Sequence, residues 1–154
     1  MEKLLLCLVF FVGALRAVTI QTQPCEGIKS MAKVTSVGIE PCTDYTSKEC
    51  SIPEGTNSTI EVHFTPATDL TDLTTDIHAK IGPIWVPYPM DKSLVDACKS
   101  DFIKCPMKAG VDNYYHFSLL VSTTYPKLNL RVRWQLFDEK KQTQVCVEFP
   151  IRVV

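Results

Sequence analysis

His63, His78 and His116 are the side chains in this sequence that change charge near neutral pH, so they are the first candidates for acid–base or metal chemistry. None sits in a pattern that does such chemistry. The sequence has no H-E-x-x-H, no G-x-S-x-G elbow, no glycine-rich phosphate loop and no closely spaced histidine pair. His63 and His116 fall on the polar parity of alternating stretches, and His78 lies between Ile77 and Ala79 on the polar parity of its own, so all three are expected at the surface. Asp69, Asp72 and Asp76 are loosely spaced acids without the glycine turn and closing glutamate of a calcium loop, and they read as a solvated loop. The expectation is a protein that is not an enzyme and holds no cofactor and no metal.

Cysteine is the other reactive residue. The chain has seven. Cys7 lies in "MEKLLLCLVFFVGALRA", where Lys3 precedes an apolar run from Leu4 to Leu15 and small Ala17 ends it, the layout of a secretory signal peptide over residues 1–17. The run is short for a bilayer span, so the product, residues 18–154, is expected to be soluble and secreted, with the lysosomal lumen as the other compartment. Six cysteines remain, Cys25, Cys42, Cys50, Cys98, Cys105 and Cys146, an even count that reads as three disulfides in an exported chain. Six cysteines allow fifteen pairings. Cys42 with Cys50 and Cys98 with Cys105 would close short loops, which would leave Cys25 for Cys146. Zinc is disfavoured because no C-x-x-C pair occurs.

Without the leader the chain keeps 14 basic and 16 acidic residues, a balance that predicts no nucleic-acid partner. About 137 residues is one domain's worth of chain. "NST" at Asn57 is a glycosylation acceptor ahead of an apolar stretch.

The elements that would position any site have a period of two. "TIEVHFT" sets Ile60, Val62 and Phe64 against Glu61 and His63. "LNLRVRWQLF" sets Leu128, Leu130, Val132, Trp134 and Leu136 against Asn129, Arg131, Arg133 and Gln135. "YYHFSLLVS" alternates Tyr115, Phe117, Leu119 and Val121 with polar residues, and "VCVEFPIRV" alternates Val145, Val147, Phe149, Ile151 and Val153 with Glu148 and Arg152. "TDIHAKI" and "KVTSVGI" are weaker strands, and "KSLVDACKSDF" has room for a turn or two of helix inside its disulfide loop. Turn residues separate the runs. The pattern predicts an all-β fold, an antiparallel β-sandwich of six or seven strands. An immunoglobulin domain's disulfide between the sheets is not expected, which leaves room for an apolar ligand to complete the core. "GPIWVPYP", residues 82–89, places large apolar side chains among three prolines, which excludes a central strand and points to an edge or a loop lying against something apolar.

Four stretches, "VPYP" at Val86 to Pro89, "CKSDFIKCP" at Cys98 to Pro106, "YPKLNLRVRWQL" at Tyr125 to Leu136 and "CVEFPIRVV" at the end, together with the six cysteines, resemble the Niemann-Pick type C2-like proteins of the ML (MD-2-related lipid-recognition) family, arthropod members included. The resemblance covers Cys25 to Val154. It implies a seven-stranded immunoglobulin-like β-sandwich with an apolar pocket between the sheets, and the pairings Cys25–Cys146, Cys42–Cys50 and Cys98–Cys105. It implies a pocket lined by Tyr88, Val121, Tyr125 and Trp134. Trp85, Val86, Phe64, Phe117, Val147 and Phe149 are further candidates for its wall. It implies prolines that stiffen the mouth and keep it from pairing as an edge strand.

Three departures from sterol-carrying relatives bear on the ligand: Tyr88 stands where they have Phe, Val147 where they have Trp, and Trp85 where they have a smaller residue. The expected partner is therefore a hydrophobic small molecule, a fatty acid or similar amphiphile ahead of a sterol or a semiochemical. A monomer with transient membrane or receptor contact is expected. The alternative from another class is a lipid-presenting innate-immune module, with Lys92, Lys99 and Lys104 meeting a receptor.

Overall fold

The computed structural model describes residues 16–45 and 48–154, so the expected leader lies outside the described residues except for Arg16 and Ala17. The strands are β1 Val18–Thr19, β2 Gln23–Pro24, β3 Lys33–Glu40, β4 Cys50–Ile52, β5 Asn57–Thr65, β6 Leu73–Ile81 and β7 Ile84–Pro87, then β8 Asn113–Leu120, β9 Asn129–Asp138 and β10 Thr143–Val153. One helical turn, α1 Lys92–Val95, lies between β7 and β8. The strands form a four-stranded sheet in the order β1-β3-β5-β8 and a six-stranded sheet in the order β2-β10-β9-β6-β7, with β4 also on β10. Seven strands have four or more residues; β1, β2 and β4 are short pieces added at edges. All pairings are antiparallel except that of β4 with β10, which is parallel.

The alternation read from the sequence faces the two sheets together. Val62, Phe64, Tyr115, Phe117, Leu136 and Val145 are fully buried between them, and each such side chain contributes about 1.5–3 kcal/mol of burial. "KVTSVGI" alternates poorly because β3 bulges between Val34 and Ser36, which keeps Val34 opposite Phe64 and Val37 opposite Val62 on one face.

Gln135 and Glu148, expected on the wet face, are buried, and so is Gln144. The chain before β3 runs along β10: the Cys146 N–H donates to Ser30 Oγ at 2.8 Å, and the Ala32 N–H donates to the Gln144 carbonyl at 2.9 Å. Gln144 Nε2 is satisfied by Asp138 Oδ2 at 2.8 Å, and Glu148 by Arg133, as buried polar groups must be.

Two expectations need correction. The helix is a single turn ahead of Cys98 rather than inside the Cys98–Cys105 loop, and it is capped by Asp91 Oδ1, which accepts the Ser93 N–H at 2.8 Å. The proline-rich segment does pair as an edge strand: β7 lies against β6, joined by a Gly82-Pro83 turn in which Gly82 takes φ 60°. Glycine at that position supplies the positive φ that a tight hairpin demands.

All three disulfides form as read: Cys25–Cys146 spans 121 residues of sequence, Cys42–Cys50 spans 8 and Cys98–Cys105 spans 7. On the loop-entropy relation the long bridge contributes about 5 kcal/mol and each short one about 2.5 kcal/mol. Denaturant melts of paired Cys→Ala variants should follow that order. A Cys25/Cys146 variant no less stable than the short-loop variants would show that the terminal tie restrains little.

Burial pushes the pKa of Tyr115 well above the ordinary tyrosine value, partly offset by its hydrogen bond with Thr75 at 2.8 Å. An unfolded tyrosine ionises near ~10. The stability tied to this neutral hydroxyl is therefore fully present below that pH and is lost as pH rises above it. Tyr115→Phe should cost about 1 kcal/mol at neutral pH and make the alkaline loss shallower. Some loss remains, because burial also raises Tyr88 and Tyr114 to about 12. Urea melts from neutral pH upward measure both effects.

Candidate functional site

Between the sheets, toward the β7 edge, lies a cavity of about 270 Å³. Ile60, Phe117 and Leu119 face it from the four-stranded sheet, and Ile77, Val132 and Phe149 from the six-stranded one. At its closed end Phe117 meets Trp134 edge to face at 5.2 Å, and Tyr115 packs on the same indole at 6.4 Å. The Trp134 N–H is buried without a hydrogen-bond acceptor among the described residues, but its nearness helps lower the Tyr115 pKa against the effect of burial.

Two disulfides lie at the borders of the sandwich and not in this space. Cys42–Cys50 ties the chain just after β3 to the start of β4, and Cys25–Cys146 ties the chain just after β2 to β10.

The mouth has two lips. One is the end of β7 and the residues after it, with Val86, Pro87, Tyr88 and Pro89; the other is the β8–β9 connection, with Val121, Tyr125 and Pro126. Val121 is pinned, its N–H donating to the Thr56 carbonyl at 2.9 Å and its carbonyl accepting the Gly55 N–H at 2.7 Å. Tyr88 and Tyr125, both half-buried, meet across the mouth, with the Tyr125 hydroxyl donating to the Tyr88 hydroxyl at 3.4 Å. Burial raises the Tyr88 pKa to about 12, so its hydroxyl is neutral at any physiological pH. The other polar side chains bordering the cavity are Ser58 and His78.

Seven of the ten residues expected at the wall border the cavity: Tyr88, Val121, Tyr125, Trp134, Val86, Phe117 and Phe149. Three stand elsewhere. Phe64 is fully buried in the closed part of the core, and Val147, opposite Trp134 on β10, is buried beyond the cavity's end. Trp85 lies on the outer face of the six-stranded sheet, because in a paired strand it has the parity opposite to Val86; there its ring lies 4.1 Å from the Arg133 guanidinium carbon. The aliphatic lining residues not singled out beforehand, Leu119, Leu130 and Ile151 among them, were legible as inward-facing but carried no signal separating cavity wall from core.

Among the reactive residues, His63 pairs with Asp112 at 3.1 Å on the exposed side of β5, and His116 stacks on Tyr114. His78 lies 3.6 Å from Asp76, half-buried, and also borders the cavity, so it is less superficial than its parity suggested. Asp69 accepts from Lys108 Nζ at 3.0 Å and from the Ala109 N–H at 2.9 Å. Asp72, Asp96 and Cys98 cluster, but Cys98 is in a disulfide and Asp96 is held by Lys99 at 2.6 Å. Asn57 is exposed at the first residue of β5.

The architecture has close counterparts. The ecdysteroid-regulated 16 kDa protein of Manduca sexta is 36% identical over 123 residues, covering 80% of this chain and 82% of that protein. The NPC intracellular cholesterol transporter 2 homolog a of Drosophila melanogaster is 34% identical over 146 residues, covering 95% of this chain and 92% of that one. The crystal structure of a Niemann-Pick type C2 protein from the Japanese carpenter ant superposes with a TM-score of 0.77 at 26% identity, covering 88% of this chain and all of that one. The ML domain family matches residues 19–153. With a sandwich, a cavity and a family match that runs from Thr19 to Val153, this chain belongs to the ML domain family.

Proposed function

We propose that this protein is an exported carrier that holds one long-chain amphiphile, a fatty acid or a molecule of like shape, with its chain in the inter-sheet cavity and its head group at Tyr88 and Tyr125. The protein is a lipid-binding domain and not an enzyme. The observation that carries the finer reading is the Tyr88–Tyr125 hydroxyl pair at the lip of a cavity lined mostly by aliphatic and aromatic side chains. Few, well-placed polar groups on an apolar pocket orient a ligand rather than hold it.

Binding would be burial. At about 0.8 kcal/mol per methylene, a dozen methylenes supply roughly 10 kcal/mol of gross driving force, of which several kcal/mol are lost to immobilisation. Ile81, Ile84 and Val86, exposed beside the mouth, suit transient contact with a lipid surface during loading. Asn57, exposed on β5, is the proposed glycan acceptor.

Native mass spectrometry of the secreted, oxidised protein, followed by extraction of what travels with it, tests the carrier reading. The expected result is about one fatty acid or similar amphiphile per chain. An apo mass that persists after incubation with a lipid panel would overturn it, and a sterol in its place would overturn the ligand class. Val121→Trp should fill the mouth and lower uptake about 10-fold or more, a change of about 1.4 kcal/mol, with the melting temperature retained; unchanged affinity would place the ligand elsewhere. Tyr88→Phe should weaken a fatty acid by about 1 kcal/mol and leave an alkane-like probe unaffected. Equal loss for both would mean that the hydroxyl reads no head group.

A further inference from the structure

The strand that forms one lip of the cavity is held by little. β7 has four residues and, among the described strands, a single neighbour, β6, and Ile84, Val86 and Pro87 on it are exposed. Pro83, Pro87 and Pro89 in and beside it contribute no N–H. Past the ladder, the Tyr88 N–H donates to the Ile77 carbonyl at 2.8 Å. Yet Val86, Pro87, Tyr88 and Pro89 all border the cavity, so movement of this strand away from β6 would open the cavity along its side.

Trp85 is the one residue of β7 that is not exposed, and it faces away from the cavity. Its ring reaches across β6 to stack on Arg133 of β9, 4.1 Å from centroid to guanidinium carbon, with Lys80 Nζ at 5.6 Å. Arg133 is fixed in turn: its Nε and Nη2 both donate to Glu148 Oε1 on β10, at 2.9 and 2.8 Å. The Glu148 side chain is only 8% exposed and lies 3.8 Å from Arg131, whose Nη1 donates to Gln23 Oε1 on β2 at 2.6 Å. The side chains run in series from one edge strand of the sheet to the other, on the face opposite the cavity. The guanidinium that receives the ring is therefore rigid, planar and largely shielded from water, conditions under which a cation–π contact is strongest.

We propose that Trp85 and Arg133 are positioning residues that latch β7 shut, and that this latch sets the rate at which the cavity exchanges its ligand. The proposal rests on the cavity being the ligand site, as argued above. Neither residue touches the ligand; both act through the strand that carries Val86 and Tyr88. Because the latch holds a door and not the ligand, its loss speeds entry and exit together and leaves the equilibrium affinity nearly unchanged. A residue that only supports the fold would lower the melting temperature without that kinetic signature.

The test uses the full secreted protein loaded with a fluorescent long-chain fatty acid and chased into phosphatidylcholine vesicles, alongside hydrogen exchange of the Tyr88 amide. Trp85→Ala and Arg133→Met should release the probe about 10- to 30-fold faster, with Kd changed less than about 3-fold and faster exchange at Tyr88. Trp85→Tyr, which keeps a ring over the guanidinium, should restore slow release. Unchanged release in both latch variants, or release speeded equally by Trp85→Tyr and Trp85→Ala, overturns the proposal. Should the wild-type protein take up no probe, the carrier reading fails, and hydrogen exchange decides the latch alone: Tyr88 protection equal in wild type and Trp85→Ala overturns it.

Discussion

Phe117 and Trp134 touch edge to face across the space between the sheets, with 5.2 Å between ring centroids, and that contact sets how near the sheets come. Packed sheets lie roughly 10 Å apart, a gap that facing side chains must span. Two aromatic rings span it, joined by Tyr115 on the indole and Phe102 on Phe117 at 4.7 Å. Toward β7 the facing residues are Ile60, Leu119, Ile77 and Val132, which are shorter, with Phe149 beside them, and they leave space they do not fill. The cavity thus follows from where the ring-to-ring contact between the sheets ends, along strands whose alternation continues unbroken.

An unfilled layer would favour collapse if the sheets were free to slide, and Cys42–Cys50 opposes that sliding without occupying the gap, while other restraints stiffen the six-stranded sheet itself. Cys42–Cys50 joins the sheets at one border, and Cys25–Cys146 fixes the N-terminal segment along β10. The outer face of the six-stranded sheet is stiffened by the Arg133–Glu148 pair. A buried ion pair is weak evidence for stability, because desolvation offsets much of the attraction. Here its geometric consequence matters more, since both Arg133 hydrogen bonds converge on one carboxylate oxygen and fix the guanidinium plane.

Much of this was legible in the residue pattern, and what was not has definite causes. "TIEVHFT" and "LNLRVRWQLF" placed Phe64 and Trp134 in the inter-sheet layer by parity alone, but parity says nothing about position along that layer, so Phe64 and Val147 could not be told from Phe117 and Phe149. Glu148 and Gln135 read as wet because a single strand's alternation does not reveal which partner will cover its outer face. β3 was faint because one bulged residue inverts its alternation midway. Trp85 was misplaced because proline density argued for a loop, where side-chain direction is free; once the segment is a paired strand, Val86 and Trp85 must point to opposite faces.

The mouth also limits what can sit in it. Tyr125 donates its hydroxyl proton to Tyr88, which leaves the Tyr88 proton free to donate. Its raised pKa keeps that proton in place, so the lip offers a permanent neutral donor. Among the described residues, neither lysine nor arginine borders the cavity. A fully buried carboxylate would therefore lack a counter-ion, and the cost of desolvating it would exceed what one phenol returns. The arrangement favours a head group that accepts one hydrogen bond while keeping its other side in water, such as a carboxyl held at the surface, or a carbonyl or hydroxyl drawn slightly inside. The same chemistry disfavours a ligand buried head first, because the Phe117 and Phe149 rings at the aromatic end of the cavity offer a polar head no hydrogen bond. Ligand orientation in this cavity would thus be set by where hydrogen-bonding groups are few as much as by where they are present.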